Sequence, residues 1–151
     1  MSEPLRWMLT GLVLLNLAFV QLTSTVSAPS MLLLWGFATA TPWLARWHER
    51  SWYRGLWNAG VLSAFAFLVQ DALTSGLLHM LEDGLSLSAL CQVHLLNNLG
   101  RRQRPDLLFF NSFLIAFVTS FFCGDLAWSI TFLGYAALLV PALQVHAASH
   151  A

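Results

Sequence analysis

Between Leu5 and Val145 the chain is one apolar stretch after another, parted by short polar breaks. Six stretches can be read, over 5–25, 30–44, 56–78, 85–99, 107–123 and 126–145. The first, third, fifth and sixth are long enough, as helices, to cross a hydrocarbon core of about 30 Å. The second and fourth hold about 15 residues each, short of the ~20 that a straight crossing needs. They read as marginal crossings or as re-entrant pieces shielded by their neighbours. Composition agrees: 58% of residues are hydrophobic and 9% charged, with a mean hydropathy of +0.67. A soluble domain carries about 25% charged residues to cover its surface. The expectation is an all-α fold, a polytopic integral membrane helix bundle of about six transmembrane helices, two of them short. Residues 1–151 are expected to form that single transmembrane domain.

The net charge is zero, but the positions of the charges are informative. All seven basic residues are Arg. Arg6 precedes the first stretch; Arg46, Arg50 and Arg54 lie between the second and third; Arg101, Arg102 and Arg104 lie between the fourth and fifth. The alternate breaks, around 24–29, 82–83 and 124–125, hold no Arg. If every stretch crosses, all basic residues share one side. The positive-inside rule then makes that side cytoplasmic, with both termini inside. Trp7, Trp43, Trp47, Trp52 and Trp57 sit beside the same clusters, where amphipathic rings settle at headgroup level. Residues 46–54 read either as a short interfacial helix or as an aromatic-rich membrane loop. No basic tail or patch suits nucleic acid. Arg6, the first apolar run and Val26-Ser27-Ala28 resemble a secretory signal. The run is long for one, however, and Pro29 follows the small residues, so an uncleaved first span is expected over 1–28.

Ionisable groups in lipid are costly and are the first functional suspects. Asp71 is the clear instance: it either pairs with Gln70, Gln92 or His94 inside the bundle or reaches up to the outer interface. Gln92, His94, Asn97 and Asn98 make the fourth stretch the most polar. Residues 94, 97 and 98 share a helical face, which suits helix–helix hydrogen bonds. Asp71, Gln92, His94, Asn97 and Asn98 therefore form the candidate intramembrane polar cluster. Helix packing is its first reading and a proton or substrate site its second. Phe110, Phe113, Phe117 and Phe121 form a stripe expected to pack on neighbouring helices or lipid. Gly60-x-x-x-Ala64 and Ser112-x-x-x-Ala116 permit close helix approach. Cys91 and Cys123 lie in different stretches without a CxxC pattern and read as small buried residues. His79, His94 and His146 fall at different depths, which does not suit bis-His haem. No HExxH, GxSxG or Walker A motif is present. Catalytic, metal and cofactor sites are accordingly expected to be absent.

The second half carries a further pattern. Glu82-Asp83-Gly84 precedes a short helix, and Arg101-Arg102-Gln103-Arg104-Pro105-Asp106 forms an Arg-rich turn. A Phe/Leu-rich span then closes on Phe121-Phe122-Cys123-Gly124-Asp125-Leu126. This resembles the N-terminal membrane domain of bacterial transglutaminase-like membrane proteins of the TgpA type. The likeness extends over nearly the whole chain and is most detailed over 82–135. Ahead of the turn, His94, Asn97 and Asn98 stand where the family has Lys and Glu, and Pro105 stands where it usually has Arg. In the family a transglutaminase-like domain with a Cys-His-Asp triad follows outside the cytoplasm. No such domain is expected in this chain, which is either a free-standing relative or different in topology.

The resemblance implies a bacterial cytoplasmic (inner) membrane protein. The expected function is a non-catalytic multi-pass module that anchors or assembles partner proteins. Its implied partners are a MoxR-type ATPase or transglutaminase-like proteins, docking on the basic clusters Arg46, Arg50, Arg54, Arg101, Arg102 and Arg104. Two other classes stay open: an accessory or cofactor-bearing subunit of an electron-transfer or photosynthetic complex, and a small transporter using Asp71.

Overall fold

The computed structural model describes residues 3–44, 47, 50–98 and 105–148, with backbone alone at 72, 77 and 78. Among them are six helices and no strand: α1 (Glu3–Thr23), α2 (Ala28–Leu44), α3 (Ser51–Ser75), α4 (Leu77–Asn97), α5 (Pro105–Phe122) and α6 (Leu126–Ala148). Without water to bond the backbone, a chain this apolar closes its amides within each segment, and helices do so locally. The breaks follow local chemistry. Ser24 takes a left-handed φ of 55° after α1, and its N–H returns to the Gln21 carbonyl at 3.1 Å. Gly76, at φ 93°, parts α3 from α4 with one residue, a conformation that a side chain would oppose.

That glycine changes the fourth helix. The sequence suggested a short segment from Leu85, with Glu82 and Asp83 in the break before it. In the structure α4 starts at Leu77 and runs 21 residues, so both acids lie in its second turn. The break is at Gly76, because φ above zero is what the backbone there requires. At the 1.5 Å rise of a helix, α4 is about 31 Å long, matching a hydrocarbon core. Of the stretch 46–54, Ser51 to Arg54 form the first turn of α3, and 46, 48 and 49 lie outside the described residues.

The four helices long and apolar enough to cross a membrane are α1, α3, α5 and α6. The protein is a membrane-spanning helix bundle. Successive helices run antiparallel, and three contacts tie their ends at one pole. The Arg6 guanidinium donates to the Pro42 carbonyl at 3.0 Å, the Tyr53 hydroxyl to Asn97 Oδ1 at 3.2 Å, and His146 Nε2 meets Asp106 Oδ1 at 2.9 Å. This is the basic pole. α1 occupies the centre and packs against α2, α4, α5 and α6, whereas α3 leans on α4. Leu9, Leu12, Val13, Phe19 and Val20 of α1 are completely buried. Lipid tails are as apolar as Leu, so what holds such helices together is close fit and interhelical hydrogen bonding. Gly11 supplies the fit: a Cβ there would stand 2.8 Å from Leu138 Cδ2 of α6. Phe19 sits between Trp128 and Tyr135, with both ring centroids 5.8 Å away. The Phe110, Phe113, Phe117 and Phe121 stripe lies on the outside of α5, exposed to lipid rather than packed under a neighbour.

Candidate functional site: interhelical polar contacts and a lateral groove

The polar residues singled out in the sequence do not converge. Asp71 lies in the last turns of α3, at the end of the bundle opposite the basic pole (the acidic pole, with Glu82, Asp83 and Asp125), and accepts a 2.9 Å hydrogen bond from Ser75 on its own helix. Antiparallel pairing of α3 with α4 puts Asp71 beside the start of α4, within electrostatic reach of Asp83. Gln92, His94, Asn97 and Asn98 belong to the opposite half of α4, so the expected pairing of Asp71 with Gln92 or His94 is not formed. Asn97 is fully buried; it accepts from Tyr53 and donates to the Val93 carbonyl at 3.0 Å. Asn98 Nδ2 contacts the His94 ring nitrogens at 3.0 and 3.3 Å. The His94 ring lies 6.0 Å from Trp57. Gln92 is buried, and its Nε2 has no hydrogen-bond partner. The face shared by 94, 97 and 98 thus ties α4 to α3 and to itself.

A second network escaped the sequence reading. Asn16 Nδ2 donates to Ser112 Oγ at 2.6 Å, and Ser112 Oγ donates to the Tyr135 hydroxyl at 3.2 Å. All three are buried, and together they link α1, α5 and α6 in the interior. The signal was present, since Asn16 is an amide among Leu14, Leu15 and Leu17, in the middle of an apolar run. Such a residue seeks a partner on another helix. Nearby, Asn111 Nδ2 donates to the Ser88 carbonyl at 2.9 Å and joins α5 to α4.

At the basic pole Arg50 and Arg54 are exposed, and the Arg50 guanidinium lies 6.0 Å from the Trp47 ring centroid. Arg46, Arg101, Arg102 and Arg104 lie outside the described residues. Among the described residues, no group of three or more His, Cys, Asp or Glu is arranged to hold a metal ion. Cys123 follows α5 at the acidic pole. Burial, then the neighbouring Asp125 carboxylate, pushes its thiol above the ordinary range.

One concavity is of another kind. Between α2 and α3, floored by α4, lies a lateral groove of about 730 Å³. Its apolar walls include Leu33, Phe37, Trp57, Ala64, Phe67 and Leu90. Phe37 and Trp57 meet edge to face across it, 4.9 Å between centroids, toward the basic pole. Thr25, Ser27, Ser30, Asp83 and Ser86 make the other end polar. No family model, curated protein or solved structure matches the chain.

Proposed function

We propose that this protein is a non-catalytic multi-pass module of the bacterial cytoplasmic membrane that anchors or assembles partner proteins, with its basic pole in the cytoplasm. The observation that carries the reading is the use made of the buried polar groups. The Asn16–Ser112–Tyr135 chain and the Tyr53–Asn97 bond hold helices to one another, which is the work of a scaffold. The resemblance to transglutaminase-like membrane proteins supports the choice of partner, a MoxR-type ATPase or a transglutaminase-like protein. Arg50 and Arg54 stand exposed at the pole where that partner docks.

Two measurements test this. Co-expression with a MoxR-type ATPase and purification in mild detergent is expected to yield a complex, which the double variant Arg50→Glu/Arg54→Glu loses. Recovery of the chain alone counts against the reading. For orientation, a membrane-impermeant maleimide added to whole cells is expected to label Cys123 and not Cys91. The raised thiol pKa leaves less thiolate at neutral pH, so labelling accelerates as the medium is made alkaline. Labelling of Cys123 only after the cells are opened reverses the orientation.

A further inference from the structure

The Gly60-x-x-x-Ala64 pair looks in sequence like a close-approach surface for another helix, but both residues line the groove. A Cβ at Gly60 would meet nothing within 4 Å. The small side chains therefore keep a slot open rather than let a helix in. Its volume of about 730 Å³ falls within the ~300–1,000 Å³ of small-molecule sites. From Tyr53 to Leu68 the slot runs about 22 Å along α3, within a ~30 Å hydrocarbon core. An extended alkyl chain fits that length. The Phe37–Trp57 ring pair stands beside the slot, and Tyr53 and Leu56 line it beyond, toward the basic pole.

The polar end specifies the head. Asp83 lines it; the residue is half-buried, and one of its carboxylate oxygens, Oδ2, is shielded without a hydrogen-bond partner. Asp71 and Glu82 add negative charge within electrostatic reach, and His79 is the basic residue acting on it. A carboxylate oxygen held out of water in acidic surroundings calls for a cation that donates hydrogen bonds. Beside it, α2 begins at Ala28, with Ser27 and Ser30 on the groove and their hydroxyls 2.9 Å apart. Pro29 has no N–H and that of Met31 goes to the Ser27 carbonyl, so the first-turn N–H groups of Ala28 and Ser30, with the positive helix dipole, are what favour an anion there. Cation and anion sites thus adjoin at the mouth of a slot for one alkyl chain.

We propose that the groove between α2 and α3 binds an aminophospholipid of the surrounding bilayer. One acyl chain lies along Gly60 and Ala64, the ammonium group meets Asp83, and the phosphate sits at the start of α2. This site is independent of any protein docked at the basic pole.

Native mass spectrometry of the full chain in detergent tests it, with phosphatidylethanolamine and phosphatidylglycerol of identical acyl chains offered in equal amounts. The expected result is one retained lipid per chain, with phosphatidylethanolamine favoured at least fivefold. Asp83→Asn is expected to bring that preference near unity while lipid is still retained. Gly60→Leu, which fills the slot where no neighbour stands, is expected to remove retention of both lipids at an unchanged melting temperature. Ala64→Phe serves as a second filling variant should Gly60→Leu not fold. Equal retention of the two lipids by the unaltered protein overturns the proposal. So does a preference that survives Asp83→Asn, or retention that survives the folded filling variants.

Discussion

α1 and α3 are both long and apolar enough to cross a membrane, yet they live in different surroundings. Half of the most apolar window of α1 is buried in protein, and none of that of α3. The reason is chemical. In water a helix must turn its apolar face inward, and the pattern shows it. In lipid both faces of a helix are content, so composition does not distinguish the central helix from the one at the rim. What does distinguish them is fit and hydrogen bonding. α1 brings Gly11 against Leu138 and Asn16 against Ser112. α3 turns its small residues, Gly60 and Ala64, toward an open groove.

The largest expected effect sets Phe19 against Leu62. Phe19 is fully buried, between two aromatic rings, whereas Leu62 is 68% exposed. Phe19→Ala leaves a cavity and is expected to cost about 3 kcal/mol, the low end of the ~3–5 kcal/mol of soluble cores. The low end applies because no transfer from water is lost, only packing. Leu62→Ala is expected to stay within about 0.5 kcal/mol. Unfolding midpoints in detergent measure both, and equal losses would erase the contrast between α1 and α3.

A narrower break uses the glycines. Gly11→Leu pushes into α6 and is expected to cost about 1–3 kcal/mol as overpacking. Gly60→Leu meets nothing and is expected to leave the melting temperature unchanged or slightly raised, since Leu favours a helix over Gly by up to ~1 kcal/mol. If Gly60→Leu were the more damaging of the two, the groove would be a packed surface and not a slot.

The six helices were legible because apolar runs of the right length leave the backbone few alternatives. The boundary between α3 and α4 was not. Leu77, Leu78 and His79 continue the apolar run by composition, and only the backbone angle of Gly76 reveals the break. The site was legible in part. Asn97 shows itself as an amide in an apolar span, but its partner Tyr53 looked like one more interfacial aromatic. Asp71 drew notice for its charge, although four residues on, Ser75 gave it a partner on its own helix. Asp83 was read as a loop acid, since its place at the groove depends on where α4 begins. Contacts between distant segments leave no periodic trace when lipid accepts every face.

The interior network offers a finer measure. A double-mutant cycle of Asn16→Ala and Ser112→Ala isolates their 2.6 Å bond. Its coupling is expected to be about 0.6 kcal/mol, the average found for hydrogen bonds between membrane helices, and at most about 1.7 kcal/mol. Zero coupling would leave shape alone as what marks the centre of the bundle.

The smallest effects compare the ties at the basic pole. Tyr53–Asn97 joins α3 to α4 and is buried, while Asp106 of the α5–α6 tie is 78% exposed. Removing the hydroxyl in Tyr53→Phe leaves buried Asn97 Oδ1 short of that donor, and the expected cost is about 1 kcal/mol. Asp106→Asn breaks a contact that water and salt already screen, and the expected change is at most about 0.5 kcal/mol. The two variants are compared by unfolding in detergent at low and high salt. Tyr53→Phe is expected to keep its effect in both, because a buried neutral bond is indifferent to ions, while that of Asp106→Asn fades at high salt. The opposite ranking would mean that the exposed contact between α5 and α6 outweighs the buried bond that ties α3 to α4.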